Sequence, residues 1–93
     1  MTTPEISVLM PVRDALATVE RAARSILDQS VGSLELIAID DRSVDGSGCF
    51  LKRLAEQDSR LRVVSNPGNG LIDALNHGLS VARGPFIARM DAD

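Results

Sequence analysis

Two acidic pairs stand out for their chemistry: Asp40 with Asp41, and Asp91 with Asp93 on either side of Ala92. Each pair follows a run of strand-forming residues, Leu34-Glu35-Leu36-Ile37-Ala38-Ile39 before the first and Phe86-Ile87-Ala88-Arg89-Met90 before the second. Carboxylates gathered in one crevice repel, and protonation or a cation relieves the repulsion. Oxygen donors suit a hard divalent ion. Mg2+ or Mn2+ held by one or two carboxylates commonly completes its shell on a substrate diphosphate. An acidic rim can thereby hold an anion, because the ion inverts the local charge. The one-residue gap between Asp91 and Asp93 has its own use. Side chains alternate along extended backbone, so both carboxylates face one way while small Ala92 turns aside. Plainer readings stand beside these: Asp91 and Asp93 as caps for a following element, and Asp40-Asp41-Arg42-Ser43 as a solvated turn.

Other reactive residue types carry less. His77 falls late in a helical pattern and reads as solvent-facing, and Cys49 reads as a half-buried small residue with nothing nearby to activate a thiolate. Gly68-Asn69-Gly70 precedes a helix and could cradle a phosphate at its N-terminus. It lacks the third glycine of the dinucleotide fingerprint and the Gly-Lys-Ser/Thr of a phosphate-binding loop.

The elements that must position the acidic pairs alternate in type. Ile6-Ser7-Val8-Leu9-Met10 predicts a first strand ended by Pro11, which cannot donate to a ladder. Val19, Ala22, Ala23, Ile26 and Leu27 repeat at helical spacing over 18–29, with Thr18 as the expected N-cap. Leu34–Ile39 is the second strand, and the loop Arg42-Ser43-Val44-Asp45-Gly46-Ser47 carries turn and capping residues. Phe50, Leu51, Leu54 and Ala55 give a second helix, roughly Gly48 to Gln57. Leu61–Ser65 is a third strand, and Asn66-Pro67-Gly68-Asn69-Gly70 a turn. A third helix, about Leu71 to Ala82, places Leu71, Ala74, Leu75, Gly78, Leu79 and Ala82 on one stripe; Phe86–Met90 is the fourth strand. Three strand–helix units and a final strand predict right-handed crossovers and a mostly parallel sheet of order 3-2-1-4, an α/β, Rossmann-like, three-layer α/β/α fold. Such sheets bind ligands at the carboxyl ends of the strands, where the winding reverses. Pro11, Asp40-Asp41, Asn66 and Asp91–Asp93 would all emerge there.

Composition excludes some partners. Ninety-three residues suit one small domain, and a net charge of −3 with scattered Lys and Arg gives no basic patch for nucleic acid. No run approaches the length of a bilayer span, no signal peptide opens the chain, and the single cysteine fits a reducing compartment. A cytoplasmic location is expected, at the cytoplasmic face of a membrane for a longer parent protein.

Taken in order, several segments resemble the family 2 glycosyltransferases. They are Ser7-Val8-Leu9-Met10-Pro11-Val12-Arg13-Asp14, Ser25-Ile26-Leu27-Asp28-Gln29-Ser30, Glu35 through Ser47, Asn66 through Gly84, and Phe86 through Asp93. The resemblance covers Ile6 to Asp93 and implies the N-terminal, nucleotide-sugar-binding portion of a GT-A fold. It implies that Pro11, Val12 and Arg13 line the nucleoside pocket and that Asp41 accepts a hydrogen bond from the base, typically uracil. Asp40 would be structural, and Gly70 would lie beside the base or ribose. Asp91 would contact the ribose, the donor sugar or the metal, and Asp93 would ligate the Mn2+ or Mg2+ bound to the diphosphate.

The implied activity is transfer of a sugar from a nucleoside diphosphate sugar, a UDP-sugar by expectation, to a glycan or lipid hydroxyl with inversion. The family's general base lies beyond the Asp-x-Asp motif, so no catalytic residue is expected within 1–93, and the isolated chain is expected to be inactive. Arg13 and Asp14 depart from the family, which has an aromatic residue and Asn there; Arg13 could stack its guanidinium on the base instead. The alternatives are a non-catalytic nucleotide-binding or scaffold module and a phosphatase of the haloacid dehalogenase type, whose Asp-x-Asp ends the first strand rather than the fourth. An exposed edge on the fourth strand is also expected to invite a homodimer.

Overall fold

The computed structural model describes residues 3–29 and 33–92. Within them the order is β1 (Ile6–Val12), α1 (Leu16–Leu27), β2 (Leu34–Asp40), α2 (Ser47–Gln57), β3 (Leu61–Ser65), α3 (Gly70–Val81) and β4 (Phe86–Arg89). All strand pairs are parallel and the sheet order is β3-β2-β1-β4, as the alternation of elements predicted. The near-continuous apolar runs of β1 and β2 suit central strands covered on both faces.

Strand alternation sorts the core into two. Val8, Met10, Val12, Leu36 and Ala38 face α1 and α2, packing on Val19, Ala23, Leu27, Leu51 and Leu54. Leu9, Ile37 and Ile39 face the other way and pack on Ala74 of α3. Gly78 lets α3 approach closely, since a Cβ there would sit 3.0 Å from Ile39 and 3.1 Å from Leu9. The result is a three-layer sandwich, with the winding reversed between β1 and β4.

Several sequence expectations shift. β1 does not stop at Pro11 but pairs with β2 as far as Val12. The proline acts on the other side. The Met90 N–H donates to the Leu9 carbonyl, and the next rung of that parallel ladder would need an N–H from residue 11. Pro11 has none, so β4 leaves the sheet and 90–92 are released toward the strand ends.

Helix α1 begins at Leu16, two residues before the expected cap. On α3, Ala74 and Gly78 are buried, but Leu71 and Leu79 are exposed, so the stripe is narrower than its pattern suggested. Cys49 is exposed rather than half-buried, and His77 is half-buried rather than solvent-facing. Every residue of β4 is exposed, Phe86 at 70%.

A buried ionic cluster fastens the opposite end of the sheet. Glu35 is 2% exposed. Its Oε2 accepts from the Ser7 hydroxyl at 2.6 Å and the Arg83 N–H at 2.7 Å, and its Oε1 accepts from Arg62 at 2.9 Å and Arg83 at 3.2 Å. Ser7 Oγ in turn accepts from the Gly84 N–H at 2.8 Å. Burial by itself would raise the Glu35 pKa. The Ser7 hydroxyl, the Arg83 N–H and the two guanidiniums outweigh it and lower the value to about 2. The cluster ties the exit of α3 to β1 and β2, and so sets where β4 starts.

Candidate functional site

A cavity of about 500 Å3 opens at the carboxyl ends of β1 and β2, under the N-terminus of α3. Pro11, Val12 and Arg13 form one wall, Asp41 lies beside them, Gly70, Leu71 and Ala74 supply the α3 wall, and Asp91 with Ala92 closes a third side. Of the ligand contacts that the family resemblance implied, Pro11, Val12, Arg13, Asp41, Gly70 and Asp91 lie on this one cavity, and Asp93 falls outside the described residues; Gly68 and Asn69 of the candidate phosphate turn do not line it.

Asp40 is not part of this lining. Neighbouring side chains on extended backbone point to opposite faces. Asp40 turns toward α2, where Oδ1 accepts the Ser43 N–H at 3.2 Å and Oδ2 leaves no room for a Cβ at Gly48. The picture of four converging carboxylates is corrected in this respect, and Asp40 keeps the structural part that the family resemblance implied.

Asp41 is 6% exposed and held from several directions. Oδ1 accepts from the Asn66 side-chain amide at 3.1 Å, and Oδ2 accepts the Gly70 N–H at 3.2 Å with Arg13 Nη1 at 3.9 Å. Asn66, itself buried, also donates to the Gly70 carbonyl, and its Oδ1 accepts the Gly68 N–H. Gly70 has φ +87°, a left-handed value that disfavours any side chain, although the space around its Cα is open. Asn66 thus works as a bracket that aims both Asp41 and the first turn of α3. Its sequence context announced only a turn.

The wall made by 13–18 is braced from the β2–α2 loop. Asp14, at φ +48°, accepts the Val44 N–H on Oδ1 at 2.7 Å and donates its own N–H to Ser43 Oγ at 2.9 Å. Asp and Asn tolerate that conformation better than other residues with a Cβ. Ser47 Oγ accepts the Ala15 N–H at 3.0 Å, and Asp45 Oδ2 accepts the Leu16 N–H at 2.9 Å, capping α1 from a distant loop. The Ser47 hydroxyl, foremost, and the Leu16 N–H hold the Asp45 carboxyl below the usual carboxylate range.

On the third side, Asp91 is exposed, and its Oδ1 accepts from Arg89 at 3.3 Å. Ala92 is buried in the core between β1 and the helices, and its carbonyl accepts the Thr18 hydroxyl at 2.8 Å. Thr18, the expected cap of α1, is instead a tether for 91–92, a role no local pattern announces. Among the described residues no three His, Cys, Asp or Glu side chains gather to cage an ion. A single exposed carboxylate on the rim still fits a hard divalent cation of the kind that keeps several waters and takes its remaining ligands from a substrate's phosphates.

Against this geometry the likenesses to known proteins are informative. Residues 7–93 match the sequence pattern of glycosyl transferase family 2. The chain belongs to this family. The putative glycosyltransferase EpsE of Bacillus subtilis (strain 168) is 40% identical over 92 residues, which cover 97% of this chain and 33% of that protein. The chondroitin synthase of Pasteurella multocida (strain Pm70) is 30% identical over 90 residues, covering 97% of this chain and 9% of the synthase.

Among solved structures, the mannosyltransferase PcManGT from Pyrobaculum calidifontis, in complex with GDP-Man and Mn2+, aligns with a TM-score of 0.88 and 28% identity over 100% of this chain and 28% of its own. S. aureus TarS 1–349 in complex with UDP-GlcNAc gives a TM-score of 0.85 over 96% of this chain and 26% of its own; at 22% identity that likeness is one of fold. The chain thus spans a third or less of each of these relatives, and its sheet order and layers are those of the GT-A architecture.

Proposed function

We propose that this chain is the donor-binding part of an inverting glycosyltransferase, holding the nucleotide of a nucleoside diphosphate sugar for transfer to a glycan or lipid hydroxyl. The observation that carries the reading is the meeting of a braced, buried Asp41 and a rim Asp91 on one cavity. In this reading residues 1–93 are one domain, the acceptor site belongs to other parts of a longer protein, and no catalytic base is assigned here.

Each wall has a task. Asp41 accepts an N–H of the base on Oδ1, which takes one internal hydrogen bond and keeps a second lone pair. Asn66 and the Gly70 N–H fix that carboxylate in advance, so little side-chain freedom is lost on binding. Pro11 and Val12 offer backbone and apolar surface to the nucleoside, and Arg13 can lie flat on the base. Gly70, with no side chain, leaves space beside the ribose.

Asp91 reaches the ribose or the metal, and Asp93 is the second residue proposed to hold Mn2+ or Mg2+. The ion would stabilise negative charge developing on the leaving diphosphate. UDP is the favoured nucleotide on the family resemblance. The GDP-Man complex of the mannosyltransferase makes GDP the natural competitor, since uracil and guanine each present a ring N–H beside a carbonyl.

Isothermal titration of UDP and GDP with Mn2+ tests the reading. Binding by the native chain and its loss in Asp41→Asn are expected. Equal heats for native and Asp41→Asn would remove the base contact, and sugar transfer by these residues alone would overturn the assignment of the base to another part of the protein.

A further inference from the structure

We infer that Thr18 is a positioning residue for Asp91 and Ala92, a latch between α1 and the acidic arm of the cavity; the inference rests on the proposed nucleotide–metal site. Thr18 sits in the first turn of α1, where a threonine hydroxyl ordinarily bonds back to a carbonyl three or four residues earlier. That local acceptor is present: the Ala15 carbonyl lies 3.4 Å from Thr18 Oγ1. The Ala92 carbonyl lies closer, at 2.8 Å. A hydroxyl has one hydrogen, and the shorter contact takes it.

The need for a latch follows from how β4 ends. Pro11 offers no N–H to Met90, so the last backbone rung to 90–92 is the bond from the Met90 N–H to Leu9. Beyond that rung, among the described residues the Asp91 side chain meets only the exposed guanidinium of its neighbour Arg89. What fixes the backbone direction of 91–92 is the burial of the Ala92 methyl and the Thr18 hydroxyl. Helix α1 follows directly in the chain on the Pro11–Arg13 wall, and its N-terminus is held to the β2–α2 loop by Asp45 and Ser47. Thr18 therefore couples the wall that would meet the nucleoside to the arm that would meet the ion. The coupling is geometric and runs through the Ala92 carbonyl.

The test compares Thr18→Val, which keeps the shape and removes the hydroxyl, with Thr18→Ser, which keeps the hydroxyl. Mn2+ is titrated into the 93-residue chain with saturating UDP, and amide hydrogen exchange is followed at 90–92 in the absence of metal. Loss of one hydrogen bond, about 1 kcal/mol, corresponds to roughly fivefold. Thr18→Val should weaken apparent Mn2+ affinity about fivefold and speed exchange at 90–92, and Thr18→Ser should restore both.

Native-like Mn2+ affinity in Thr18→Val, or a Thr18→Ser variant as weak as Thr18→Val, overturns the latch while leaving the nucleotide site standing. No Mn2+ or UDP binding by the native chain sinks the proposed site, and the latch with it. Thermal melts control for folding, and Thr18→Ala, with better helix propensity, replaces Thr18→Val should that variant fail to fold.

Discussion

Replacing Glu35 with Gln removes one charge from the buried cluster and keeps its shape, which makes its cost calculable. The folded carboxyl has a pKa of about 2 against an ordinary value of 4.5. Each unit of difference is about 1.4 kcal/mol of preference for the ionised form, so the native fold favours ionised over protonated Glu35 by about 3 kcal/mol. Gln mimics the protonated shape, and Arg62 and Arg83 are part-exposed and can rehydrate. About 2–3 kcal/mol of destabilisation at pH 7 is expected.

Because the folded pKa is depressed, the contribution is complete above pH 4.5 and is lost as pH falls toward 2. Urea unfolding followed by circular dichroism should show a native–variant gap that is constant from pH 7 to pH 5 and closes below. A gap under about 0.5 kcal/mol at pH 7, within the usual range for inconsequential substitutions, or one that persists at low pH, would refute the reasoning. Nucleotide affinity of the folded fraction should hardly change. The cluster begins at Ser7, about 17 Å along β1 from Val12 at roughly 3.3 Å per residue.

Other outcomes follow from the same structure. Gly70→Ala puts a Cβ on a residue at φ +87° and should cost about 1 kcal/mol, with weaker UDP binding because the Gly70 N–H also orients Asp41; an unchanged melting temperature and affinity would contradict this. Asp45→Ala removes the distant cap of α1 and should lower the melting temperature above the carboxylate range, with the loss fading in acid, because its folded pKa is depressed. The open edge and exposed Phe86 and Ile87 of β4 predict concentration-dependent dimerisation in light scattering, which a clean monomer at high concentration would contradict.

The sequence made the sheet legible because apolar runs and helical stripes alternate without ambiguity. Asp41 and Asp91 share a cavity for the same reason: each lies just past the end of a parallel strand, and those strand ends share an edge. What stayed hidden depends on contacts between distant segments. Helix α1 starts early because its cap is Asp45, which no local window contains. Asn66 looked like a turn residue, yet its amide spans Asp41 and Gly70. Pro11 read as a strand terminator, but in a strand with two neighbours it interrupts only one ladder. Glu35 sat inside an apolar run with nothing to mark it as a buried ion, since its partners lie in β1, β3 and the segment after α3. Thr18 looked like a cap because threonine before a helical stripe usually is one.

In the proposed site one nucleotide bridges Asp41 and the 91–93 arm through a divalent ion. Paramagnetic broadening by Mn2+ in amide NMR spectra examines that bridge most directly. With UDP present, trace Mn2+ should broaden the amides of 90–92 most, with weaker effects at Asp41 and Gly70, and these effects should vanish when UDP is omitted. Broadening centred on Asp40 or Asp58, or the same pattern without UDP, would contradict it.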